Sequence, residues 1–254
     1  AYWLHREKPS GVASETETRR EIGAAYAKRK GLAWDAEQPS AEIERAVSDF
    51  LQVVRERTGL LIERAPRRYG FMHLTFEEYY AARFLVLRSK SRAKLIRQHL
   101  HDARWEEPIL LALGFVGLDS ADDAAELVET AILAEGEDAV DFTPSLYEEL
   151  LGRDYLFALR CLGDRILVRP HVMSRLVDRI HNELTHPTGI ALFQNHQRLL
   201  DERIGTLKGG DAALPLAKRL MNELRNADSD VRLRAAESLV QLGGGTPAGV
   251  EGLL

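Results

Sequence analysis

The stretch from Tyr69 to Leu85 reads Y-G-F-M-H-L-T-F-E-E-Y-Y-A-A-R-F-L, and it restricts the local fold more than any other part of the chain. Tyr69-Gly70-Phe71-Met72 has the composition of a short strand. Thr75 followed three residues later by Glu78 predicts a capping box, with Leu74 and Tyr79 at the staple positions. Phe76, Tyr80, Phe84 and Leu87 recur at helical spacing and are expected to form a buried, aromatic-rich face. The chain is therefore expected to pass abruptly from strand to helix, with His73 held at the seam. An imidazole in that place has two readings. It can be a structural side chain bonded to nearby backbone, or it can face a ligand, where a ring N–H donates to a phosphate oxygen.

The residues upstream supply the rest of a small domain. Tyr2-Trp3-Leu4 opens a short helix that Pro9-Ser10-Gly11 breaks. A helix pattern already running at Tyr2, in a chain that begins without methionine, leads us to expect a piece of a longer polypeptide. Glu15 to Lys30 is helix-prone, and Gly31 is expected to cap its end. Ser40 is expected to cap a further helix that carries Glu42 and Glu44 in its first turn, where the helix dipole favours carboxylates. Ile43, Ala46, Val47, Phe50, Leu51 and Val54 form its apolar stripe. Beyond Gly59, Leu60 to Glu63 and Tyr69 to Met72 read as the two strands of one hairpin, turned at Ala65-Pro66-Arg67-Arg68. Helix, helix, helix, hairpin, helix is the element order of a winged-helix domain.

From about Leu95 the strand signals stop. Apolar helices ending in glycine recur, closing at Gly114, Gly163, Gly205 and Gly243, which are 49, 42 and 38 residues apart. Such spacing fits two-helix repeats of roughly 40 to 47 residues that stack into a solenoid. The last unit, Asp228 to Leu239, carries Asp-x-x-Val-Arg and then paired alanines, and it resembles the second helix of a HEAT repeat. Gly243-Gly244-Gly245 and Pro247 break that pattern. The expected fold is thus mainly α-helical: a winged-helix domain over residues 1–90 with one small β-hairpin, then an α-solenoid of HEAT-like repeats over 91–254.

Composition narrows the function. The chain has 254 residues, is 45% hydrophobic and carries a net charge of −5, so no global positive field favours nucleic acid. Lys28-Arg29-Lys30 and the wing residues Arg64, Arg67 and Arg68 leave a DNA-binding winged helix as an alternative. The single cysteine, Cys161, permits no disulfide within the chain and reads as a core residue. No apolar run approaches the roughly 18 residues of a membrane helix, and no signal peptide is visible. His181 and His186 imitate a zinc motif at the wrong spacing, i, i+5, and are expected to be solvated. His99 and His101, at i, i+2, are read the same way. No Ser-His-Asp set can be assembled by motif.

The run Gly59-Leu60-Leu61-Ile62-Glu63-Arg64 followed by Phe71-Met72-His73-Leu74-Thr75-Phe76-Glu77-Glu78-Tyr79-Tyr80-Ala81-Ala82-Arg83 resembles the end of the winged-helix domain in NACHT-type STAND NTPases of bacteria. Glu77 stands where glutamine is common. Leu100 to Gly114 resembles the segment that follows, and the resemblance extends over about residues 1 to 117. It implies that His73 contacts the β-phosphate of ADP held by an N-terminal NTPase domain and so keeps the resting molecule closed. It also implies that a protein or other trigger binds the helical repeats, that ATP then replaces ADP, and that the open form oligomerises. ATP or ADP with Mg²⁺ would belong to the parent protein. This chain has no G-x-x-x-x-G-K-[ST] loop and is expected neither to bind the nucleotide nor to hydrolyse it alone. A cytoplasmic signalling role, with defence against phage as its setting, is the implied function. A HEAT-type protein-binding scaffold without a nucleotide link is the other alternative.

Overall fold

The computed structural model describes residues 1–87, 91–136, 142–186 and 194–243. The chain divides into two compact units, Ala1–Leu87 and Arg88–Leu254. It is mainly helical, with one small antiparallel sheet.

The first unit contains α1 (Tyr2–Glu7), β1 (Ala13–Ser14), α2 (Glu15–Lys30), α3 (Ala41–Val53), β2 (Leu61–Ala65), β3 (Arg68–Phe71) and α4 (Leu74–Leu87). The hairpin β2–β3 is present, with Leu61 opposite Phe71 and Arg67 turning the chain at φ 57°. A third strand joins it: β1 pairs with β3 through Ala13 and Tyr69, giving the order β1-β3-β2. Two residues are too short a strand to show periodicity, so the sequence carried no sign of it. Ser14 also caps α2 in a full capping box with Glu17. Gly31 ends α2 in the left-handed region at φ 69°, and Ser40 caps α3, as expected.

The core of this unit is Ala27, Ile43, Val47 and Leu51, with Tyr26, Trp34 and Leu61 packed against it. The α3 stripe is narrower than expected, because Phe50 is 50% exposed. Gly70 serves close approach. A Cβ there would lie 2.5 Å from the carbonyl oxygen of Gly11, so glycine lets the segment after α1 run against β3.

The second unit contains α5 (Arg92–His99), α6 (Glu106–Asp119), α7 (Ala121–Leu127), α8 (Glu148–Leu151), α9 (Arg153–Gly163), α10 (Pro170–Thr185), α11 (Gln194–Thr206), α12 (Ala213–Glu223) and α13 (Ser229–Leu242). α6 packs on α7. Thereafter α9 packs on α11 and α11 on α13, while α10 packs on α12. Alternate helices therefore lie side by side in two rows, the arrangement of stacked helix pairs.

The glycines take unequal parts in this. Gly163 is the last residue of α9, Gly243 caps α13 and Gly205 falls just inside the end of α11. Gly114 instead lies within α6, so it closes no helix. Pro108, Ile109, Leu110, Ala112, Leu113 and Val116 are all buried, and this burial on both sides of Gly114 carries the helix through it. Asp228 caps α13 by accepting the N–H of Asp230 at 2.8 Å, and Val231, Ala235 and Leu239 are buried beneath it. Gly244, Gly245 and Pro247 lie outside the described residues.

Candidate functional site

The helix after the seam presents the face opposite to the one expected. α4 begins at Leu74, so Thr75 falls in the first turn rather than ahead of it. The buried residues of α4 are Glu77, Ala81, Ala82 and Leu85. Phe76, Tyr80 and Leu87 are 38%, 42% and 74% exposed, and Phe84 is half-buried. The inner side of α4, which packs on α1, is lined by alanines with no exposed surface. Small residues let two helices approach closely, so Phe76 and Tyr80 point outward, while Phe84 stacks on Tyr2 of α1 with ring centres 4.1 Å apart; spacing defines a face but does not say which face is inside.

His73 lies between β3 and α4 with its side chain exposed. Its ring centre is 6.1 Å from that of Phe76. Its backbone is fixed on both sides. The N–H of Met72 donates to the carbonyl of Leu60 at 2.9 Å, and Arg64 Nη2 donates to the carbonyl of Met72 at 2.8 Å and to that of Phe71. The carbonyl of His73 accepts the N–H of Phe76 at 3.1 Å. Arg64, one of the three wing arginines, is thus engaged with backbone. An exposed imidazole on a braced turn can donate a hydrogen bond to an acceptor outside this unit.

Glu77 is the residue that sequence reasoning undervalued. Its Oε1 lies 2.8 Å from Nδ1 of His5, and both side chains are buried. The only hint of this was the carboxylate itself on an otherwise apolar face. Nothing in the sequence pointed to His5, which is 72 residues away.

Of the histidines expected to be solvated, His186 is exposed, whereas His99, His101 and His181 have partners within the fold. His99 is buried and stacks on Trp105, ring centres 3.9 Å apart. His181 on α10 lies 3.2 Å from Glu223 on α12. His101 Nε2 lies 2.7 Å from Oδ1 of Asp154. Asp154 is 1% exposed and also meets Arg97 Nη2 at 2.8 Å, the hydroxyl of Ser145 at 2.6 Å and the Ser145 N–H at 2.9 Å. Burial opposes ionisation of Asp154, but His101, Arg97 and Ser145 outweigh it and hold the carboxyl far below the usual range. This Ser-His-Asp group is no catalytic triad. A triad uses one ring nitrogen for serine and the other for aspartate. Here Nε2 faces both, and the serine hydroxyl donates to the carboxylate.

Cys161 is fully buried, and burial pushes its thiol well above the ordinary range. Among the described residues, no group of His, Cys, Asp and Glu is arranged to hold a metal ion. No helix of the described residues is long and apolar enough to cross a membrane.

Four helices around a three-stranded antiparallel sheet, in this order, are consistent with a winged-helix domain. Residues 1–85 match the family described as the winged helix-turn-helix domain C-terminal to NACHT. Comparison with curated proteins and with solved structures gave no match. The first unit therefore carries a NACHT-associated winged helix, which supports reading it as a regulatory portion of a NACHT protein.

Proposed function

We propose that this chain is the regulatory and sensor portion of a NACHT-type signalling NTPase. The N-terminal NACHT domain is its partner and holds ATP or ADP with Mg²⁺. His73 donates to the β-phosphate of ADP and keeps the resting molecule closed. The helical repeats, read as HEAT-like, bind a protein or other trigger, and release of the clamp permits oligomerisation. The setting is cytoplasmic signalling, with defence against phage the role that the sequence resemblance suggests.

The observation that carries this reading is the match over residues 1–85 together with the exposed imidazole at the braced β3–α4 turn. DNA binding is disfavoured by the charge on α3, the second helix of the helix-turn-helix, which in DNA-binding members enters the major groove. Its exposed residues include Glu42, Glu44 and Asp49 against Arg45, a surface that repels phosphates.

The test uses a polypeptide that carries the NACHT domain. His73→Ala is expected to lower the ADP retained through purification and to raise basal signalling, with little effect on folding because the side chain is exposed. Unchanged ADP content and unchanged basal signalling would count against the clamp. For DNA, a gel shift that weakens steeply with salt would favour the alternative.

A further inference from the structure

We propose that Glu77, through its bond to His5, is the positioning residue for His73, so that α1 and the segment behind it set where the imidazole sits. The functional importance of that seat rests on the clamp reading above; the positioning itself does not.

His73 is bracketed by one short part of the chain. Three residues before it, Gly70 leaves the space in which the carbonyl oxygen of Gly11 comes to rest. Four residues after it, Glu77 is held by His5 at 2.8 Å. Glu77 Oε2 also faces Gly11, where an added Cβ would lie 3.6 Å away. Residues 5 to 11 therefore grip both the strand that enters the turn and the helix that leaves it. The imidazole is exposed, with its ring centre 6.1 Å from that of Phe76, so its place follows largely from these backbone anchors together with those from Leu60 and Arg64.

The chemistry of the pair argues for positioning over bulk stability. A buried ion pair or charged hydrogen bond is often no more stabilising than apolar residues of similar volume, because desolvation offsets the attraction. It is directional, however, and it penalises every helix register that leaves the carboxylate buried without its donor. Glu77 is the only polar residue among those buried on α4. An apolar side chain there would hold the helix in the core while leaving its rotation and axial register less defined.

The experiment uses the 254-residue chain and two readouts: amide hydrogen exchange at Leu74 to Phe76, and the NMR resonance of the His73 ring. The double variant His5→Leu/Glu77→Leu is expected to melt near the parent temperature, to exchange those amides about tenfold faster, and to shift the ring resonance. Glu77→Gln keeps an oxygen acceptor in place and is expected to preserve both readouts. Leu85→Ala, which leaves a cavity on the same buried face, is expected to lower the melting temperature without moving the ring resonance. A double variant with parental exchange and an unmoved resonance would overturn the proposal. So would a Leu85→Ala shift as large as that of the double variant, since Glu77 would then act as core filling. If the double variant does not fold, His5→Ala is judged by the same two readouts. Because no nucleotide is involved, these outcomes stand apart from the ADP-retention test.

Discussion

His5 Nδ1 lies 2.8 Å from Glu77 Oε1, and each side chain is 4% exposed. The bond joins the first helix of the winged-helix unit to its last. Taking Glu77 away removes a buried hydrogen bond between the two helices, at a cost of about 1–3 kcal/mol. Glu77→Ala is therefore expected to cost that much, and a urea titration of the first unit's transition measures it. A loss below about 1 kcal/mol would place the pair with weak, solvated ones.

Acid should weaken this fold through carboxylates that it holds below their ordinary range, among them Glu17, Glu129 and Asp154. Glu17 is held down to about 2 by Lys8 and by the Ser14 cap. Asp154 is held lower still. Both folded values lie below the unfolded range near 4. The stability they contribute is thus present above about pH 4 and lost as pH falls through the folded values. Asp154→Asn is expected to flatten the acid side of the stability profile, and chemical denaturation from pH 7 down to about pH 2 checks it. An unchanged slope in that variant would mean that Asp154 gains nothing from His101 and Arg97.

Cys161 is expected to resist alkylation in the native state. The thiolate is the reactive form, and burial disfavours it while also excluding the reagent. Mass spectrometry should find the native chain unmodified after an exposure that fully labels the chain in urea. Native labelling at the unfolded rate would show that α9 opens readily.

The end of α9 should tolerate no enlargement. A Cβ on Gly163 would come 2.4 Å from Oγ1 and 2.9 Å from Cβ of Thr206, at the end of α11. Gly163→Ala is expected to cost about 1–3 kcal/mol by overpacking. Gly114→Ala, which meets nothing within 4 Å and lies inside a helix, is expected to be neutral or stabilising by up to about 1 kcal/mol. Paired thermal melts distinguish the two, and a reversed order would contradict the close packing of α9 on α11.

Local chemistry was legible at the helix ends. Ser40 and Gly31 act where they were expected, because a cap depends on residues within one turn of it, whereas Thr75 falls inside α4. The hairpin was legible too, since its strands are neighbours in sequence. The third strand was not, because Ala13-Ser14 exists only by pairing with Tyr69 and Arg68. The inversion of α4 has the same origin. Phe76 and Tyr80 lie on one stripe and Ala81 and Leu85 on another, and the close approach of α1 selected the small residues for the inside.

The candidate site divides along the same line. The order of residues alone establishes a strand, a histidine and a helix in immediate succession, because backbone geometry and capping act over a few residues. Whether that histidine is exposed, what braces it, and why a carboxylate is tolerated at Glu77 depend on contacts with Leu60, Gly11 and His5. The same holds for His99, His101 and His181, whose partners Trp105, Asp154 and Glu223 come into reach only on folding. Burial and charge pairing join residues distant in sequence, and no local pattern encodes which distant residue will arrive.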